Sequence, residues 1–61
     1  MLRRSIYISK DVQKGEVFSK NNIRIIRPGL GLPPKYFDII LGRRAKKNLA
    51  KGTPLSWNII V

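Results

Sequence analysis

Apolar and polar positions alternate in "SIYIS", residues 5–9, with Ile6 and Ile8 set against Ser5, Tyr7 and Ser9. A period of two predicts a strand with one buried face. In "DVQKGEVFS" the pair Lys14-Gly15 separates short apolar pieces, and glycine takes a positive φ at little steric cost, as a tight turn needs. Ser19 is placed to cap a short turn over Lys20, Asn21 and Asn22, because its hydroxyl can accept from an N–H two or three residues on. "IRII", residues 23–26, predicts a second strand. Its Ile25 and Ile26 fall on opposite faces, so either both faces are covered or a bulge shifts the phase. "LPPKYFDIILG", residues 32–42, predicts the one helix: Pro33 or Pro34 supplies a preset φ at its first position, and Gly42 sits where a left-handed cap is common. At about two turns it is short. Tyr36, Phe37, Ile40 and Leu41 share one side for packing, leaving Lys35 and Asp38 in water. "RRAKKNL" and "TPLSWNIIV" are turn-punctuated pieces that fit strands better than helices.

An echo runs through this pattern. Shifted by 37 positions, "KDVQKGEVFSKNNI" (Lys10 to Ile23) aligns with "KNLAKGTPLSWNII" (Lys47 to Ile60) at six identities in fourteen. Val12/Leu49 and Phe18/Leu55 also keep apolar character. Two copies of one unit imply intertwined halves related by approximate two-fold symmetry, with the helix as connector.

With 61 residues the chain is a single domain, and a chain of this size buries only about 60% of the surface its unfolded form exposes. It has no cysteine or histidine, hence no disulfide and no Cys/His metal cluster to staple a small core. Absent disulfides fit a reducing, cytoplasmic setting. No stretch approaches the roughly 20 apolar residues of a membrane span, and no signal-peptide pattern follows Met1, so a soluble protein without membrane partners is expected. Thirteen Lys and Arg against three acids give a formal charge of +10. That balance raises nucleic-acid binding, since phosphate neutralisation drives sequence-independent affinity. The charges are nevertheless spread along the chain, and the one cluster, Arg43 to Lys51, contains no aromatic residue to stack on bases. A solvated basic face is the expected reading.

The densest local constraint is Pro28 to Pro34, which holds three prolines and two glycines directly after Arg27. A residue before proline is pushed into extended backbone, so Arg27 is expected to stand straight off its strand. Gly29 and Gly31 lack a Cβ and would let a partner or ligand approach the backbone closely; Pro33 and Pro34 start the helix without needing N–H partners. The guanidinium offers a planar fork of five donors, suited to positioning rather than proton transfer. Lys14, Gly15, Lys51 and Gly52 read as turn residues. Arg43 and Arg44 alternate along a strand, one snorkelling over the core and one in water. Trp57 reads as a core or interface anchor.

The pattern "KDVQKGEVFSKNNI…RPGLGLPP…ILGRRAKKNLAKGTPL" resembles the C-terminal SAF domain, or antifreeze-like domain, of sialic acid synthases and their relatives that make other nonulosonic acids or spore-coat sugars. The "DVxKGExF" half is shared by SAF domains of other carbohydrate and assembly proteins, so alone it marks a fold; "RPGLG", the Pro-started helix and "LGRRA" are closer to the synthases. The resemblance implies a small, mostly β domain with short helical turns, the β-clip fold shared with type III antifreeze proteins. It further implies a larger enzyme, from which this chain would be excised. There a (β/α)-barrel uses a divalent metal to condense phosphoenolpyruvate with an N-acyl mannosamine-like sugar, as a sialic acid (N-acetylneuraminate)-type synthase does. In that picture the enzyme is a domain-swapped homodimer, and this domain covers the barrel of the second subunit as a non-catalytic lid. Arg27, matching the arginine of "RPG", would contact the sugar in trans, with Pro28, Gly29 and Gly31 shaping its loop. No cofactor is expected in the domain itself.

Three other functions compete. Independent catalysis lacks a base–nucleophile pair and a metal triad, given three scattered carboxylates. Nucleic-acid binding predicts an affinity that falls steeply with salt. Ice binding needs a flat, largely uncharged face, whereas residues 9–20 carry Lys10, Asp11, Lys14, Glu16 and Lys20.

Overall fold

The computed structural model describes residues 3–61. Strand β1, Ser5–Ile8, pairs antiparallel with β2, Ile23–Ile26, in a register that sets Ser5 opposite Ile26 and Ile8 opposite Ile23. Ile6 and Ile8 are buried as the alternation predicts, but Ser5 and Tyr7 are buried too. Distant segments meet them there: the Ser5 hydroxyl donates to the Pro28 carbonyl at 2.9 Å, and Tyr7 bridges to Pro54. In β2 neither expected alternative holds. The register runs through without a bulge, Ile25 packs partly buried against the core, and Ile26 is left 45% exposed.

The helical segment begins as a 3-10 turn at Pro34–Tyr36 and continues as α1, Phe37–Ile40. Gly42 follows at φ +90°, the left-handed conformation expected of a residue closing the helix. Ile40 is fully buried, Tyr36, Phe37 and Leu41 are partly so, and Lys35 and Asp38 face solvent. The basic and C-terminal pieces touch the rest of the chain through single antiparallel bridges instead of extended strands: Val17 with Arg44, Ala45 with Ile60, Val12 with Leu49, and Tyr7 with Pro54. Between two of them Trp57–Ile59 forms a 3-10 turn.

These crossings knit a core of Ile6, Ile8, Val12, Phe18, Ile23, Ile40, Ala45, Leu49, Leu55, Ile59 and Ile60. The 37-residue repeat reappears in the bonding. Val12 and Leu49, equivalent in the repeat, exchange both backbone hydrogen bonds, at 2.8 and 2.7 Å. The Gly15 N–H donates to the Ala45 carbonyl as the Gly52 N–H does to that of Ile8, and Phe18 donates to Arg43 as Leu55 does to Ile6. Even the side-chain caps repeat: the Asn48 Oδ1 accepts from the Lys14 N–H, and the Asp11 Oδ1 from the Lys51 N–H. The architecture is a small, mostly β domain with short helical turns.

Candidate functional site

Arg27 follows the last residue of β2 and is exposed. It borders an open hollow of about 380 Å³ together with Arg4, Ile25 and Ile26. The peptide bond between Arg27 and Pro28 is cis. Among the described residues, the arginine side chains that hydrogen-bond within the chain are Arg43, whose Nε donates to the Ile39 carbonyl, and Arg44, whose Nη1 donates to that of Gly15. Among the described residues none accepts a hydrogen bond from the five donors of Arg27.

What holds this corner is a residue that the sequence pattern assigned only to the polar side of a strand. Ser5 is 1% exposed, and its hydroxyl spans the loop: it donates to the Pro28 carbonyl and accepts from the Gly31 N–H at 3.0 Å. Beyond it, the Leu32 N–H donates to Leu55 and the Leu32 carbonyl accepts from the Ile6 N–H, both at 2.9 Å. The loop is thus fastened at both ends, with Leu30 at its tip 75% exposed. The domain's own atoms crowd both glycines of the loop. A Cβ on Gly31 would overlap the Ile6 carbonyl oxygen and come within 3.1 Å of the Leu55 nitrogen, and one on Gly29 would sit 2.8 Å from the Arg3 Cβ. The close approach they permit is by their own domain.

Two outcomes follow from this packing. Ser5→Ala leaves the Gly31 N–H and the Pro28 carbonyl without their partner, a loss of about 1–3 kcal/mol, which lowers the melting temperature by roughly 4–8 °C per kcal/mol in so small a domain; differential scanning calorimetry reads it. Gly31→Ala forces backbone apart and costs roughly 1–3 kcal/mol or more. In a urea titration it is expected to exceed Gly15→Ala, whose Cβ meets nothing within 4 Å but whose φ of +85° is itself unfavourable to alanine.

The remaining candidates resolve as local structure. Gly15 and Gly52 take positive φ in turns, as read from the Lys-Gly pairs. The Ser19 hydroxyl accepts from the Asn21 N–H at 3.2 Å, two residues on as expected, within a turn and not a helix. Arg43 and Arg44 are both exposed, each donating to a backbone carbonyl of its own chain. Trp57 is no core anchor: it is 45% exposed and meets the Tyr36 ring edge-on, with centroids 5.3 Å apart. Among the described residues no three metal-ligating side chains come together, and no helix is long and apolar enough to cross a membrane. Arg4, which shares a hollow with Arg27, is the other functional candidate not singled out from the sequence; strand pairing just beyond it draws the two together, and that pairing is invisible to a one-dimensional pattern.

Comparison with known proteins gives this geometry relatives. The family profile described as the SAF domain matches residues 3–61. A pseudaminic acid synthase of Helicobacter pylori is 53% identical over 53 residues, covering 87% of this chain and 16% of that protein. Among solved structures, a spore coat polysaccharide biosynthesis protein of Bacillus subtilis superposes with a TM-score of 0.87 at 37% identity, over 95% of this chain and 17% of that one. The antifreeze-like domain of the human N-acetylneuraminic acid phosphate synthase gene superposes with a TM-score of 0.86 at 10% identity, over 93% of this chain and 73% of that one, a likeness of fold. The chain spans about a sixth of the length of the curated relatives it matches.

Proposed function

This chain belongs to the SAF domain family, and from that premise we propose that it is the accessory domain of a cytoplasmic nonulosonic acid synthase, in which it lends Arg27 to the sugar site of a second subunit. The observation that carries the proposal is the exposed guanidinium on a doubly fastened loop, free of any hydrogen-bonded partner of its own among the described residues. The pseudaminic acid synthase likeness supports the enzyme class. In this reading the chemistry belongs to a (β/α)-barrel elsewhere in the protein, which condenses phosphoenolpyruvate with an N-acyl sugar on a divalent metal, and the domain catalyses nothing by itself.

The physical role follows from what arginine can do. Its fork can grip an amide carbonyl and a neighbouring hydroxyl of an N-acyl sugar together, and it keeps its charge throughout, so it orients substrate and moves no proton. Orientation of this kind contributes through proximity, because a group held in place need not be found again at each turnover. Leu30, exposed in the loop that follows, offers an apolar knob for the rim of the covered barrel, and the domain acts as lid and dimerisation element at once. Kinetics of the full-length enzyme with Arg27 replaced, taken up in the Discussion, test this reading.

A further inference from the structure

The β1–β2 register ends with Ser5 opposite Ile26. Arg4 and Arg27 are the residues just beyond that last pair, and the two line one hollow with Ile25 and Ile26. Two guanidiniums bordering one small hollow carry like charge, and like charges so placed repel. No carboxylate answers them. Asp11 accepts from the Lys51 N–H, Glu16 from the Gln13 N–H, Asp38 is exposed on α1, and none of the three borders this hollow. On the other side of Arg4 a larger hollow of about 530 Å³ is lined by Arg3, Lys35, Gly29, Gly31, Pro33 and Pro34, again without an acid. Ile25, packed against the core, gives the Arg4–Arg27 hollow an apolar wall, and beside such a wall the field of two cations is less screened than on open surface.

We propose that Arg4 and Arg27 form a two-guanidinium fork for one oxyanion, the carboxylate or phosphate of a small molecule. An empty fork carries mutual repulsion; an occupied one replaces it with charge-assisted hydrogen bonds from two planar donors. For its place in the enzyme this rests on the reading of Arg27 as a substrate contact, and it adds to that reading a second residue and an anionic group on the ligand.

The 61-residue chain itself tests the fork, without sugar or catalysis. Chain labelled with ¹⁵N-arginine is titrated with inorganic phosphate and, separately, with acetate, at constant ionic strength made up with chloride. The fork predicts that the Nε–Hε signals of Arg4 and Arg27 move together and saturate, that phosphate or acetate identifies the preferred oxyanion, and that Arg4→Gln or Arg27→Gln weakens the response of the other at least tenfold. Arg24→Gln, in the separate hollow bordered by Lys10, Arg24 and Lys51, leaves the response intact. Low-salt melting adds a second readout: Arg4→Gln does not lower the midpoint, and phosphate raises it less than in the unaltered chain. Linear shifts spread over all the arginine signals, no response to either anion, or an Arg27 response indifferent to Arg4→Gln would each overturn the proposal. Because the titration involves no turnover, it can fail while Arg27 still proves essential for the sugar, or succeed while Arg27 proves dispensable there.

Discussion

In the full-length enzyme, Arg27→Ala is expected to lower kcat/KM for the sugar by about 10- to 200-fold, the loss that corresponds to one charge-assisted contact of about 1.5–3 kcal/mol. The KM for phosphoenolpyruvate should stay within about twofold, since that substrate is held by the barrel in this reading. Thermal stability of the domain should not fall, because Arg27 is exposed and outside the core. The combination matters more than any one number. A general loss of structure would lower the melting temperature and affect both substrates, whereas a missing positioning contact affects one. Arg27→Lys is expected to recover only part of the loss, because an ammonium restores the charge without the planar fork. Steady-state kinetics against each substrate, with calorimetry alongside, make the comparison; unchanged sugar kinetics in Arg27→Ala would remove the proposed role.

Phe18→Ala is expected to unfold the domain at ambient temperature. Phe18 is 1% exposed and the largest fully buried side chain. Its backbone ties two distant segments, donating to Arg43 and accepting from Gly42 at 2.8 and 3.0 Å. Truncating a buried phenylalanine typically costs about 3–5 kcal/mol, and a single core of this size rarely supplies more than about 3–5 kcal/mol in total. The neighbouring Val17, 39% exposed, serves as the control: Val17→Ala should cost a fraction as much. Circular dichroism during urea titration reads both, and a Phe18→Ala variant that melts within a few degrees of the parent would show that the core is not organised around that ring.

Much of this architecture is legible in the chain, and the places where it is not share a cause. Local chemistry announced the turns at Gly15, Gly42 and Gly52, which all take positive φ, and the helix that Pro33 and Pro34 precede. Contacts between distant segments were not announced. The alternation of "SIYIS" predicts one buried face, since nothing local to β1 records that the Pro28–Gly31 loop fastens to Ser5 or that Pro54 bridges to Tyr7. "TPLSWNIIV" has strand composition, yet its residues meet partners one at a time, and between the bridges the chain is free to coil into the turn at Trp57–Ile59. The repeat between Lys10–Ile23 and Lys47–Ile60 carried long-range information, since hydrogen bonds recur at equivalent positions of its two copies. At the site, proximity to proline singled out Arg27. Ser5 and Arg4 are not singled out by the local pattern because their importance comes from residues far along the chain.

A subunit-mixing experiment tests the central claim most directly. Full-length Arg27→Ala protein is co-expressed with a differently tagged variant whose barrel is catalytically dead but whose Arg27 is intact, and dimers carrying both tags are isolated. If the arginine acts in trans, each mixed dimer pairs one intact barrel with an intact Arg27 from its neighbour, and sugar-dependent activity rises far above that of either parent dimer. Mixed dimers no more active than the Arg27→Ala parent would contradict the account.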